Sequence, residues 1–132
     1  IGCAQMERVD ELVEAKRSVF SSYRTALAGL PLRMNPEPAG TRNGYWMPTI
    51  VVSEDVPFDR ESLLARFRSD NIDGRVFFWP LSDLPFFEPR PGHAVSHRLS
   101  KRGVNLPSYH DLSAPEIERV AQHIRLELGG QR

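Results

Sequence analysis

The residues best suited to binding chemistry lie together in residues 74–85, with the sequence GRVFFWPLSDLP. Arg75 comes near the start of this stretch, and three adjacent aromatic residues follow it. Ser82 and Asp83 are polar residues just after the predicted strand, in the segment that we call its exit. Two prolines stiffen that exit, because each fixes its own φ and removes a hydrogen-bond donor. A rigid strand exit with aromatic walls is typical of a ligand site. An interior strand followed by a proline-rich turn explains the same pattern without a ligand.

The other reactive side chains do not show catalytic or metal-binding spacing. His93 and His97 are four residues apart on a predicted short helix, but the sequence suggests no third ligand near them. Cys3 has no base beside it. Neither Ser113 nor the Ser82 and Asp83 pair has the spacing of a hydrolytic triad. We therefore expect no metal site in this chain and no catalytic residue of its own.

Composition limits the classes of function. The chain has 132 residues, enough for one domain, of which 40% are hydrophobic and 26% charged. Its formal net charge is zero, which argues against nucleic acid as a partner. No apolar run reaches the roughly 20 residues of a membrane span, and a single cysteine fits a reducing compartment. We therefore expect a cytoplasmic domain, and a piece of a longer protein, because the helical pattern already runs at Ile1.

The first part of the chain is predicted to form a long helix, a loop and a strand. Apolar residues recur at helical spacing over residues 1–28. At about 28 residues this helix is long for a small domain, so it either links two domains or forms one edge helix of a compact fold. Residues 31–44 are rich in proline and glycine, which predicts a surface loop. Residues 45–52 follow as a strand, and Pro48 predicts that it lies at a sheet edge or carries a bulge.

The middle of the chain is predicted to contain a helix and the central strand. Asp59 is expected to cap a helix that reaches residue 71, with Arg60 facing solvent. Residues 75–79 are apolar on both faces, so the strand that they form is expected to be covered on both sides.

The last part is predicted to contain a short helix, a short strand and a final helix. The short helix covers residues 93–102, and the strand covers residues 104–106. Ser113 and Glu116 match a capping box, and the helix after them carries one apolar stripe. The residues that the short helix is expected to bury are Ala94, Val95 and Leu99. The order of elements predicts an α+β fold, a small antiparallel or mixed sheet of about three strands packed with helices.

Four segments in the same order resemble one family, the DegT-type sugar aminotransferases. Residues 1–11 resemble the helix that follows the cofactor-bearing part, and residues 45–52 resemble the first strand of the small domain. Residues 59–81 resemble R-x-x-L-x-x-x-L-x-x-x-G-I-x-x-R-x-F-F-x-P-L, and residues 103–113 resemble G-x-x-L-P-S-x-x-x-L-S. The Arg-x-Phe-Phe-x-Pro-Leu version is most similar to the perosamine-synthase branch. Ser82 departs from the family, which commonly has histidine after Pro-Leu.

The resemblance implies the small domain of an aspartate-aminotransferase-like fold. Residues 1–30 would be a long linking helix and residues 31–132 the C-terminal small domain, with the pyridoxal-phosphate-binding large domain outside this chain. The parent enzyme would transfer an amino group from glutamate to a nucleotide-linked keto sugar, and would be a homodimer. Neither Lys16 nor Lys101 matches the family's Schiff-base lysine. The chain alone is therefore expected to be inactive and to bind no cofactor.

In that setting the chain would supply contacts to the nucleotide-sugar substrate. Arg75 is expected to recognise a phosphate or carboxylate, Phe77 and Trp79 to stack on the sugar or base, and Ser82 to contact a hydroxyl group. A structural role is the alternative for each residue. Two other functions are open for the chain: a stand-alone, non-enzymatic α+β binding or interaction module, and a regulator that keeps the fold without catalysis.

Overall fold

A four-stranded antiparallel sheet forms the centre of the structure, a computed structural model that describes residues 2–88 and 92–129. Within these residues the strands are β1 (Leu32–Met34), β2 (Thr49–Val52), β3 (Arg75–Val76) and β4 (Gly103–Asn105). The helices are α1 (Gly2–Met6), α2 (Val9–Ala26), α3 (Arg60–Ser69), α4 (Ala94–Arg102) and α5 (Ala114–Gly129). A 3₁₀ turn covers Leu81–Asp83. The predicted α+β class is confirmed, with four strands in the order β1-β2-β4-β3.

The hydrophobic core lies between one face of the sheet and helices α2, α3 and α5. Ile50 on β2 pairs with Val104 on β4, and Val104 pairs with Val76 on β3, so these side chains point to the same face. Tyr23 and Phe67 are fully buried against this face. Each fully buried side chain of this size contributes roughly 1.5–3 kcal/mol, so this layer carries most of the stability.

The N-terminal helix is divided, so the prediction of one helix over residues 1–28 is wrong. Helix α1 ends at Met6, and α2 begins at Val9 after a turn at Arg8, whose φ is −115°. None of the residues of α1 is buried, so no packing keeps α1 in register with α2. Arg8 forms an ion pair with Glu11 at 2.5 Å, which supports the start of the second helix.

Two predictions about the first strands are also wrong. Part of the expected loop at residues 31–44 is β1, which pairs with β2 through Leu32 and Val52. Strand β2 begins only at Thr49, and it is internal rather than at an edge. Pro48 comes just before β2, where a missing N–H costs no ladder hydrogen bond, and its carbonyl accepts from the N–H of Leu106 at 2.8 Å.

The predicted central strand is a short edge strand. Only Arg75 and Val76 pair with β4, and β3 lies at the end of the sheet. Phe78 and Trp79 are each 59% exposed, so the expectation of cover on both sides is wrong. The apolar run favoured an interior position, but the chain leaves the sheet after Phe77, so Phe78 and Trp79 lie beyond the paired residues, where the sheet and its core helices do not cover them.

Helix α3 begins as predicted, because the Asp59 carboxylate accepts from the N–H of Glu61 at 2.9 Å. The expectation that Arg60 faces solvent is wrong. Its side chain is only 11% exposed, lies over the ring of Trp79 and donates to the carbonyl of Ser100. A guanidinium is weakly hydrated and stacks on aromatic rings, which explains this position.

Helix α4 lies on the sheet through its C-terminal turn. Ser100 is its one buried residue among those described. Ala94 and Val95 are exposed and Leu99 is half-buried, so the predicted buried set is wrong. None of the described residues of α4 contributes to the hydrophobic core, which explains why Ala94 and Val95 remain exposed.

The last helix, α5, forms as predicted. The carboxylate of Glu116 accepts from the backbone N–H of Ser113 at 2.8 Å and from its hydroxyl at 2.6 Å. The hydroxyl of Tyr109 donates to the same carboxylate at 2.5 Å. The buried stripe consists of Ile117, Val120, Ala121 and Ile124. The capping box therefore joins α5 to the loop that follows β4.

We expect Glu116 to stabilise the fold in a pH-dependent way. The hydroxyl of Ser113, then that of Tyr109, lowers the pKa of Glu116 from 4.5 to about 2. A carboxyl group whose pKa is lower in the folded state adds stability above its unfolded pKa, and this is lost as the pH falls from 4.5 towards 2. Urea unfolding should show Glu116→Gln less stable than the wild type near neutral pH, with the difference shrinking through that window. A difference that is independent of pH would contradict this account.

Candidate functional site

The candidate site begins on the second face of the sheet, opposite the core. Thr49, Asn105 and Arg75 are register partners on β2, β4 and β3, so their side chains form a polar row across three strands. The Thr49 hydroxyl donates to Asn105 Oδ1 at 2.8 Å, and Asn105 Nδ2 donates to the carbonyl of Val76 at 3.2 Å. The sequence did not point to Thr49 or Asn105, because only the strand register brings them to Arg75.

Arg75 stands at the exposed end of the polar row. It forms an ion pair with Asp73 at 2.8 Å, and both side chains are 72% exposed. The hydrogen bond from Arg75 lowers the pKa of Asp73. Asp73 therefore supplies the protein carboxylate expected under the structural alternative for Arg75, and recognition of a substrate phosphate or carboxylate by Arg75 stays a prediction. Its Nη1 makes no hydrogen bond to any described residue, so the guanidinium keeps donors for a further anion.

Asp73, the ion-pair partner of Arg75, also lines a cleft of about 460 Å³. The cleft lies between the turn that precedes β3, the loop after β4 and the first turns of α5. Tyr109, Glu116 and Arg119 supply polar groups to its wall, and Ile72 and Leu112 supply apolar ones. A cleft that combines apolar walls with a few charged groups has the character of a small-molecule site.

Phe77 packs closely against the end of β4. Its N–H donates to the carbonyl of Gly103 at 3.2 Å, and its ring meets that of Phe78 edge to face at 5.5 Å. A Cβ on Gly103 would lie 2.6 Å from both the Leu99 carbonyl oxygen and the Cβ of Phe77. The side chain of Phe77 is half-buried. Because a side chain at residue 103 would collide with Phe77, the position of Phe77 depends on this glycine.

The exposed ring of Trp79 packs against the guanidinium of Arg60. The guanidinium of Arg60 lies 5.2 Å from the ring centroid, a favourable distance for a cation–π contact. Because Arg60 also donates to the Ser100 carbonyl, it ties Trp79 to the end of α4. The tryptophan is therefore held by the fold although most of its ring remains in solvent.

Ser82 lies beside an imidazole, which the sequence did not predict. Ser82 Oγ is 3.5 Å from His97 Nε2, and Asp83 Oδ2 is 3.5 Å from His97 Nδ1. The spacing of residues along the chain did not indicate that a histidine would lie beside Ser82 and Asp83. The 3₁₀ turn supplies the hydroxyl and the carboxylate, and α4 supplies the imidazole. Only the packing of these two elements could reveal this cluster, which we call the His97 cluster.

The four predicted site residues follow one another along the exit from β3 but do not form a single network. Among the described residues, no hydrogen bond, ion pair or ring contact joins any two of Arg75, Phe77, Trp79 and Ser82. Large apolar side chains are exposed in the same segment. They are Phe78, Trp79, Leu81, Phe86 and Phe87. An exposed apolar segment of this kind is typical of a surface that contacts a ligand or another part of a protein.

The comparisons with known proteins agree over nearly the whole chain. The model of the DegT/DnrJ/EryC1/StrS aminotransferase family matches residues 1–125. The chain belongs to this family. Among DegT-family relatives, the GDP-perosamine synthase of Vibrio cholerae is 34% identical over 128 residues, covering 95% of this chain and 35% of the relative. That of Caulobacter vibrioides is 31% identical over 124 residues, covering 91% and 33%.

Solved structures of DegT-family and sugar aminotransferases share the fold. The aminotransferase TlmJ of Streptoalloteichus hindustanus matches with a TM-score of 0.84 at 22% identity, covering 98% of this chain and 35% of that one. DesI, solved with its TDP-sugar product, matches with a TM-score of 0.84 at 21% identity, covering 96% and 33%. These aminotransferases have the aspartate-aminotransferase-like fold, as the resemblance implied. The chain spans about a third of the length of its relatives.

The described residues of this DegT-family chain do not fit pyridoxal phosphate, the cofactor of the family. Lys16 Nζ, on α2, contacts the carbonyl oxygen of Ser108 and is partly buried. Lys101 is exposed in the last turn of α4. Neither amine stands beside a phosphate cradle, so we derive no cofactor chemistry from these residues. Among residues 2–88 and 92–129, no group of three or more potential metal ligands lies together, and none of the described helices could span a membrane.

We expect the chain by itself to form no specific covalent adduct with pyridoxal phosphate. The chain can be mixed with the cofactor and reduced with borohydride, and the modified lysines can then be mapped by mass spectrometry. Labelling of Lys101 and Lys16 should be substoichiometric and should rise with reagent concentration without saturating. A stoichiometric adduct at one of the two lysines would show that the chain contains a cofactor site.

Proposed function

We propose that this chain is the C-terminal third of a pyridoxal-phosphate-dependent aminotransferase that transfers an amino group from glutamate to a nucleotide-linked keto sugar. The observation that carries the proposal is the family match over residues 1–125, together with GDP-perosamine synthases at 28–34% identity. The perosamine-synthase branch predicts amination of the C4 keto group of a GDP-linked 6-deoxysugar. The cofactor, the Schiff-base lysine and the glutamate donor belong to the parent enzyme.

The C-terminal position is part of the proposal. Residues 1–30 would link the chain to a preceding large domain, and residues 31–132 would form the small domain. The exposed surface of α1 supports this, since none of its residues is buried within the described chain. The coding sequence on both sides provides the test. A cofactor domain with its lysine encoded upstream would agree with the proposal, and one encoded downstream would contradict it.

The substrate contacts that we assign to this chain lie along the exit from β3. Arg75 is exposed and retains free donors, which suits a phosphate group of the nucleotide. Trp79 presents an exposed ring for stacking on a sugar or base. Phe77 is half-buried and would shape the wall, and Ser82 would contact a sugar hydroxyl. In a homodimer, this surface would border an active site between subunits.

Turnover by the parent enzyme tests the function. The protein expressed with its flanking coding sequence would be mixed with pyridoxal phosphate, glutamate and a GDP-linked 4-keto-6-deoxysugar. Formation of 2-oxoglutarate and amino sugar in equal amounts is expected, and the 132-residue chain under the same conditions should be inactive. The matched control replaces the keto sugar with GDP-mannose, whose sugar has no keto group to aminate.

Other outcomes would favour the two alternative functions. A parent protein that binds the nucleotide sugar without turnover would be a regulator with the aminotransferase fold. A natural protein without any cofactor domain would be a stand-alone binding or interaction module. Size-exclusion chromatography of the parent, with light scattering, would test the proposed homodimer.

A further inference from the structure

We infer that Asp83 and His97 direct the hydroxyl of Ser82, so that Ser82 acts as a hydrogen-bond acceptor for a hydroxyl group of the nucleotide-linked sugar. The inference rests on the proposed function and adds two positioning residues to it. It comes from the His97 cluster, in which each ring nitrogen of one imidazole faces a different side chain.

The backbone holds the His97 cluster in place from both sides. In the 3₁₀ turn, the N–H of Asp83 donates to the Pro80 carbonyl at 3.0 Å. On α4, the N–H of His97 donates to the His93 carbonyl at 3.2 Å. The side chains of His97 and Asp83 are 39% and 44% exposed. The backbone therefore fixes the two elements that carry the cluster, and a ligand can reach its side chains.

The carboxylate decides which ring nitrogen carries the proton. Asp83 can only accept, so a neutral His97 places its N–H at Nδ1, on the side of Asp83, and leaves Nε2 as an acceptor. The hydroxyl of Ser82 then donates to Nε2. The 3.5 Å separations are long for hydrogen bonds, and such contacts commonly tighten when a ligand binds.

Once its proton points to His97, Ser82 can offer a ligand only its oxygen lone pairs. A sugar hydroxyl can donate to that oxygen, whereas a keto oxygen or a phosphate oxygen cannot. Trp79, three residues earlier, has an exposed ring that can stack on the apolar face of a sugar. An exposed aromatic ring in the same segment as an oriented acceptor therefore favours a sugar hydroxyl over an anionic group.

Four variants of the parent enzyme test the inference. His97→Asn keeps a donor near the position of Nδ1 but does not reach Ser82, whereas His97→Gln places an acceptor near the position of Nε2. We expect Ser82→Ala and His97→Asn each to raise the KM for the nucleotide sugar about three- to tenfold with little change in kcat. The KM of the double variant should be no higher than the larger of the two single-variant KM values. His97→Gln should restore a KM within about twofold of the wild type. Ser96→Ala, an exposed neighbour on α4, is the matched control and should leave both constants unchanged.

The outcomes separate this inference from the proposed function. If the unsubstituted parent does not aminate any nucleotide sugar, the proposed function fails. If Ser82→Ala raises KM but both His97 variants behave as wild type, Ser82 binds substrate without His97, and the inference is wrong. Additive effects in the double variant would also overturn it. The imidazole ¹⁵N shifts of the full chain give a readout without substrate, and a proton on Nε2 rather than Nδ1 would contradict the assignment.

Discussion

Gly103→Ala is expected to lower the free energy of unfolding by about 1–3 kcal/mol, the cost of adding a methyl group to a tightly packed position. The new Cβ would stand 2.6 Å from the Leu99 carbonyl oxygen and 2.6 Å from the Cβ of Phe77. One neighbour is backbone and the other is the first atom of a side chain, so neither can move aside by changing a rotamer. Either α4 or the exit from β3 must shift. Thermal unfolding should show a Tm lower by roughly 3–15 °C.

Gly44→Ala is the matched control for this result. A Cβ at Gly44 would meet nothing within 4 Å, so its effect should stay within about 0.5 kcal/mol. Equal destabilisation by the two variants would show that the close approach at Gly103 does not exist in solution. In the parent enzyme, Gly103→Ala should also impair substrate binding, because the position of Phe77 depends on the space above this glycine.

Arg75→Lys in the parent enzyme is expected to raise the KM for the nucleotide sugar about tenfold, equivalent to about 1.4 kcal/mol of binding free energy. Lysine keeps the charge but loses the planar fork that binds a phosphate through two parallel hydrogen bonds. The stability of the fold should change little, because the ion pair with Asp73 is exposed, and exposed pairs contribute about 0–1 kcal/mol. Steady-state kinetics would give the KM of the wild type and of Arg75→Lys, and thermal unfolding of the same preparations would give their Tm values.

Arg33→Lys provides the control for the Arg75 variant. Arg33 is an exposed arginine on β1, at the opposite end of the same sheet, and its substitution should leave the KM unchanged. Unchanged kinetics in Arg75→Lys would remove Arg75 from the binding site. A large fall in Tm with a matching loss of all activity would assign Arg75 to a structural ion pair.

The sequence alone predicted the features that depend on short-range rules. The Asp59 cap, the capping box of Ser113 and Glu116 and the apolar stripe of α5 are all present, because a helix start and a helix face are decided by residues within a few positions of each other. The α+β class followed from the same local patterns, and the four quoted segments pointed to the family that the comparisons confirm.

Only the tertiary structure decided which residues meet across the sheet and which remain exposed. The apolar content of residues 75–79 predicted a central strand, but whether a strand is internal or at an edge depends on its place in the sheet, and β3 is at the edge. The polar row joins Arg75 to Asn105 and Thr49 through strand register, which local patterns do not determine. His97 reaches Ser82 only because α4 packs beside the 3₁₀ turn. Contacts between residues far apart in the chain depend on how whole elements pack, and that information is not contained in the spacing of neighbouring residues.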